Sequence, residues 1–331
     1  MSNGQDGRLT KNERREQARE EARRAREAAK RKERTGKILL QGGIIVAVLA
    51  VVLIIVLVIV NSVGPKGPGP ANMASGGVVF EPDGSGGIAV ARSAGLADGA
   101  ERKAVDTGAE IQIQAFVDFM CPICGRFELG LTPEEFQASG FPGTMADFAG
   151  NSDYIRTLIE EGVASFEVIP LGLLDHQSLG TKYSTRAANA LACVVDKEPA
   201  LAFDYMHELF VNQPQEGSSG LDDNELISIL RGVGSSSGDT EMCIRNQSFK
   251  GFIADNTNTA ASKVEFENLV NDPTFERIGT PIVYVNGNRF TPQYDWSHTA
   301  SLRTFIQELQ GEEYQESQPT PTPTPTPTPA G

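Results

Sequence analysis

Histidine is scarce in this sequence, metal-binding spacings are missing, and basic side chains thin out after residue 37. The three histidines are His176, His207 and His298. None stands in an HxxxH pair or another ligand spacing, so a histidine-based metal centre has no support. No nucleophile-elbow sequence frames a serine, and hydrolase chemistry is equally unsupported. Residues 1 to 37 hold 13 Lys/Arg against 7 Asp/Glu, a net +6, while the remaining 16 basic and 36 acidic residues give −20, which accounts for the −14 of the whole chain. Affinity for nucleic acid comes mainly from basic groups on phosphates, so a chain this acidic past its first segment excludes itself as a nucleic-acid binder.

Charge is absent altogether from Ile38 to Val60. These 23 apolar-rich residues are long enough for a helix to cross a hydrocarbon core of about 30 Å. A secretory signal has a shorter core and a small-residue cleavage site, so 38–60 reads as an uncleaved transmembrane anchor. The basic segment 1–37 precedes it and only Lys66 follows closely, which puts the N-terminus in the cytoplasm and the rest of the chain outside. Cysteines there can stay oxidised. Within the basic segment Glu20 lies four before Arg24 and Glu27 four before Arg31, a solvated helix without an apolar face that fixes topology or meets anionic headgroups. Residues 61–77, rich in Gly, Pro, Ala and Ser, read as a linker. Residues 313–331 end in a Pro/Thr alternation from Pro319 to Pro329, a disordered, polyproline-like tail whose threonines are candidates for sugars. One globular domain, 78–312, lies between.

That domain is organised around IQIQAFVDFMCPIC, residues 111–124. Ile111, Ile113, Val117 and Phe119 give an apolar run of strand length, suited to burial on both faces. Cys121 and Cys124 follow at once. Pro122 is tolerated only in the first turn of a helix, which places Cys121 at the helix N-terminus and Cys124 one turn inside. Unpaired amides and the helix dipole favour a thiolate on Cys121, and Cys124 is near enough to close a small disulfide ring.

With DFMCPIC and the downstream GTPIVYVNG, the sequence resembles the thioredoxin superfamily, in its DsbA-like branch of thiol-disulfide oxidoreductases. The resemblance implies an α/β, thioredoxin-like fold with an inserted all-helical subdomain, here about 184–271, preceded by the single transmembrane helix. It implies a cis bond between Thr280 and Pro281 beside the cysteines, with the Thr280 backbone free to pair with a substrate strand. It makes Cys121 and Cys124 the redox pair, supported by Pro122, and gives Asp118 a part in moving protons near Cys124; a solvated strand-end carboxylate is the other reading of Asp118. The function implied is oxidation of cysteine pairs in exported proteins, with a quinone-linked membrane oxidase for recycling and no cofactor in the chain itself. A reductase or isomerase using the same pair, and a non-catalytic anchored folding module, are the alternatives. Ile123 stands where the well-known periplasmic oxidase has His, which leaves oxidising strength open.

Cys193 and Cys243 each fall inside a helical run, away from any CxxC. Pairing of the local couple leaves these two for a structural disulfide; a second redox centre or a zinc site built from all four cysteines are the alternatives. Residues 130–150 depart from the family pattern, with two helix starts at Thr132 and Thr144 and four apolar side chains, Phe136, Phe141, Met145 and Phe148. They form either an apolar lip beside Cys121 or an insertion packed on itself. Ser152 is a candidate cap for the following helix, and 295–309 reads as the closing helix.

Overall fold

β3, Ile111–Val117, runs through the middle of the sheet, and its residues explain why. Ile111, Ile113, Ala115 and Val117 alternate onto one buried face. On the other face Phe116 is buried, Gln114 half-buried and Gln112 exposed, so the expectation of a strand buried on both sides holds only for its C-terminal half. Gln114 is accommodated by donating from Nε2 to the Glu167 carboxyl of the adjacent strand at 2.7 Å.

The computed structural model describes residues 69–97 and 100–317, with side chains as far as 311, and, of the residues before 69, Arg23. The chain divides into two units, 1–64 and 65–331, and the elements named below belong to the second. The rest of the basic segment, the transmembrane helix expected at 38–60 and the Pro/Thr run lie outside the described residues. Among the described residues no helix is long and apolar enough to cross a membrane.

β1 (Val78–Pro82), β2 (Ile88–Val90), β3, β4 (Ala164–Pro170), β5 (Ile282–Val285) and β6 (Asn288–Phe290) form one sheet in the order β2-β1-β4-β3-β5-β6. β3 and β4 are parallel and the other neighbours antiparallel. A parallel pair needs a crossover, which α1 (Pro122–Leu129), α2 (Pro133–Ser139) and α3 (Ser152–Glu160) supply. β5 and β6 close as a hairpin over Asn286 and Gly287, both at positive φ, the pairing a two-residue turn of this hand demands.

Between β4 and β5 lies the helical block: α4 (Tyr183–Lys197), α5 (Ala202–Val211), α6 (Asp223–Gly232), α7 (Gly238–Asn246), α8 (Lys250–Ala261) and α9 (Glu267–Asn271). The architecture is a thioredoxin-like α/β sheet with an inserted helical subdomain, as the resemblance implies. α4 is its axis, with Leu191, Cys193, Val194 and Val195 wholly buried. Truncating one such aliphatic residue to alanine costs about 2–5 kcal/mol.

Three local expectations are corrected. Residues 69–77 are not free linker: Met73 is fully buried, the Ala71 N–H donates to Asp196 at 2.7 Å and the Asn72 side chain to the Val195 carbonyl, so this stretch docks on the end of α4. The cap of α3 is Asn151, and the Ser152 hydroxyl instead donates to Glu128 at 2.7 Å. The closing helix α10 is Thr299–Ser317, starting later than 295 because the Asp295 carboxylate folds back to accept from the Ser297 N–H and hydroxyl.

Candidate active site

Past Val117 the strand ends in a turn held by Asp118. Its carboxyl accepts the Met120 N–H and the Leu174 N–H, both at 2.8 Å, while its carbonyl accepts the Cys121 N–H at 3.0 Å. The reading of Asp118 as a solvated strand-end carboxylate is therefore wrong, for the residue has no exposed surface. Burial pushes its pKa up to about 7, against the pull of those two amides and of the nearby Ser184, whose hydroxyl makes no hydrogen bond of normal geometry.

The turn delivers Cys121 to the N-cap of α1 in extended conformation (φ −75°, ψ 114°), with Pro122 at the first helical position. Cys121 and Cys124 are both free thiols. Cys121 is less presented than its position suggests, being only 6% exposed. The cover comes from the strand entry opposite, where the Thr280–Pro281 bond is cis and the Cys121 Sγ lies 3.2 Å from the Thr280 carbonyl oxygen. A thiol donates to that oxygen, so the contact favours the protonated form. The opposing influences are larger: a hydrogen bond from Cys124 first, then, against the burial penalty, the Thr280 side chain and the amides of Cys124 and Ile123, which together bring the Cys121 pKa down to about 6. Cys124 is fully buried, and burial followed by the demand of a Cys121 thiolate pushes its pKa well above the ordinary thiol value. Two thiols one turn apart are thus driven in opposite directions.

The structure brings Asp118, Cys121, Pro122, Cys124, Thr280 and Pro281 together around the start of α1. It keeps Cys193 and Cys243 apart from them, in α4 and α7, bonded to each other at 2.05 Å with Cα atoms 5.8 Å apart. That bond removes the four-cysteine set a zinc site would need. Residues 130–150 pack on themselves: Phe136 and Phe141 lie on Phe148 at ring-centre distances of 5.3 and 5.2 Å, and His298 and Tyr294 close the cluster from the α10 side. The lip reading gives way to this small core, since Phe148 is fully buried. Its two ends cross at Gly130 and Gly150, both at positive φ, where a Cβ on either would come within 2.4 Å of the other's backbone segment.

Three further contributors carry no signal legible in the sequence. The Leu174 N–H arrives from the loop after β4. Phe210 at the end of α5 packs on Phe119 with ring centres 4.9 Å apart. Gln213, three residues later, donates from Nε2 to the carbonyls of Phe119 (3.1 Å) and Cys121 (2.9 Å). Of the histidines, His207 shares the Glu128 carboxyl with Ser152 near the end of α1, His298 sits in the aromatic cluster and His176 is exposed.

No family model and no curated protein matches the chain. Among solved structures it is similar to the reduced form of a disulfide bond oxidoreductase, DsbG, from Mycobacterium tuberculosis, at 22% identity with 76% of this chain and 92% of that one covered and a TM-score of 0.45. It is similar to oxidised DsbA of the same organism at 25% identity, with 63% and 88% covered and a TM-score of 0.43. MdbA, a thiol-disulfide oxidoreductase from Corynebacterium diphtheriae, shares 17% identity, with 68% and 92% covered and a TM-score of 0.43.

Proposed function

We propose that this chain is a DsbA-like thiol-disulfide oxidoreductase, anchored in the membrane through 38–60 with its N-terminus in the cytoplasm, which oxidises cysteine pairs in exported proteins. One observation carries the reading: on a single helix start the Cys121 pKa is held near 6 while that of buried Cys124 is driven far up. A low-pKa thiol is the better leaving group, and the thiolate form of the reduced pair is stabilised, which favours handing the disulfide on.

In the reaction a substrate thiolate attacks Cys121 Sγ of the Cys121–Cys124 disulfide. The S–S bond breaks, and Cys124 leaves with the electron pair and takes up a proton. We assign its supply to Asp118, whose pKa near 7 and whose charge, which raises the Cys124 pKa, support that role. A second substrate thiolate attacks the substrate sulfur of the mixed disulfide, and Cys121 leaves as a thiolate. The substrate loses two electrons and two protons; the pair gains both electrons and is reoxidised by a membrane oxidase of the quinone-linked kind. The Thr280 backbone next to Cys121 suits pairing with an extended substrate strand.

The test is the reduction potential of the Cys121–Cys124 pair. A value near or above about −180 mV supports an oxidant, and one near about −270 mV makes the chain a reductant instead. Cys124→Ala is expected to accumulate mixed disulfides with substrates and Cys121→Ala almost none. Protease added outside intact cells should digest 61–331 and spare the basic leader; protection of the large portion would refute the orientation.

A further inference from the structure

We infer that Gln213 is a positioning residue for Cys121: its amide pins the strand-to-helix turn, and residue 125 is glycine so that the amide can lie there. The inference rests on the reading of Cys121 as the reacting sulfur. Gln213 belongs to the helical block, in the turn that ends α5, where its own N–H donates to the Phe210 carbonyl at 3.0 Å. With Phe210 packed on Phe119, the base of the Gln213 side chain is fixed against the end of β3. One NH2 group then reaches two carbonyls, Phe119 and Cys121, on either side of Met120. The Cys121 carbonyl also accepts the Gly125 N–H at 3.1 Å, so the backbone of the reacting residue is held from two directions. This sets where Sγ points relative to the Thr280 carbonyl and the amides of Ile123 and Cys124.

Gly125 is the second observation. A Cβ there would lie 2.4 Å from Gln213 Oε1 and 3.3 Å from its Cδ, with no other residue near enough to matter. Glycine inside a helix is otherwise unfavourable compared with alanine. The obstacle is the far end of a flexible side chain, so Gly125→Ala would expel the amide without breaking the fold. That predicts an unusual signature: a helix made intrinsically more stable, and a Cys121 made less acidic.

The experiment measures, on the full chain, the alkylation rate of Cys121 against pH, the reduction potential of its pair with Cys124, and the thermal midpoint. The wild type is read first: a Cys121 pKa near that of a free thiol would defeat the functional proposal itself, independently of Gln213. Gln213→Ala and the shape-preserving Gln213→Met should each lower the thiolate fraction below the titration midpoint about fivefold, the factor for one net hydrogen bond. The potential should become more negative by about 20 mV, the same factor at 29.6 mV per decade. Gly125→Ala should produce the same shift with an unchanged or raised midpoint, and should add nothing further in the Gln213→Ala background. Wild-type alkylation and potential in Gly125→Ala and Gln213→Ala, wild-type behaviour of Gln213→Met, or fully additive effects of the two sites would each overturn the inference.

Discussion

Replacing Asp118 by Asn should change how stability depends on pH, and the size of the change follows from burial. The carboxyl has an ordinary pKa of 3.8 and about 7 in the fold, with desolvation the largest cause. Because the folded value lies above the unfolded one, the folded protein binds this proton more tightly, and stability from Asp118 is fully present below the unfolded value. It is lost as pH rises through 7. The shift of about 3 units corresponds to about 4 kcal/mol at alkaline pH, at 1.36 kcal/mol per unit. Between pH 5 and pH 8 about 2.5 kcal/mol of this should appear. Asn cannot ionise but keeps only one acceptor for the two amides of Met120 and Leu174, which costs about 1–3 kcal/mol at every pH. The quantity to read is therefore the change with pH of the difference between variant and wild type. Urea unfolding of the full chain, with Cys121 and Cys124 both as thiols, should show the wild type losing ground to Asp118→Asn as pH rises from 5 to 8. A difference independent of pH would refute the argument, because it would mean that Asp118 does not titrate in this range in the folded protein.

Two further outcomes are expected. Replacing Cys193 and Cys243 together by Ala removes a cross-link spanning 50 residues, worth roughly 4 kcal/mol in the chain-entropy model; the thermal midpoint should fall while Cys121 keeps its alkylation profile, and a changed profile would contradict a purely structural bridge. The His207 pKa is raised above 6.5, chiefly by its hydrogen bond with the buried Glu128. Its contribution is present below 6.5 and lost as pH rises through the folded value, so His207→Gln should differ from the wild type more at pH 6 than at pH 9, measured by urea unfolding.

What the sequence discloses is what is local in it. A strand-length apolar run, two cysteines and Pro122 fix the helix start and the order of the two thiols, because the unpaired amides of a first turn and the ban on proline deeper in a helix act over a few residues. The placement of Thr280 and Pro281 beside Cys121, 159 residues away along the chain, came only through resemblance. Asp118 could not be judged, since whether a carboxylate at a strand end is wet depends on the loop that covers it, here the one carrying Leu174. Gln213 gave no signal at all: an amide in a polar turn is ordinary, and its target lies 92 residues upstream. The apolar residues of 130–150 were legible as a self-packed insertion, one of the two readings, but the closing partners Tyr294 and His298 were not, because they come from the far end of the domain.

The same chain holds one cysteine pair poised for exchange and one that is not, and position within helices accounts for the difference. Exchange needs a thiolate and a line of approach to a sulfur. Cys121 meets the first condition chiefly through the hydrogen bond from Cys124, with the Thr280 side chain and the amides of Cys124 and Ile123 adding to it, and against its Sγ lies the Thr280 carbonyl, at the strand entry to which the proposed function assigns substrate pairing. Cys193 is in the body of α4 and Cys243 lies within α7, so neither sulfur gains from a free helix amide. The bridge between them fastens α4 to α7 within the block that also carries Phe210 and Gln213 to the turn before Cys121. The inert disulfide thus contributes stability to the block without taking part in electron exchange. On that basis a reductant strong enough to open Cys193–Cys243 should loosen the helical block, whereas glutathione at the poise that reduces Cys121–Cys124 should leave it intact.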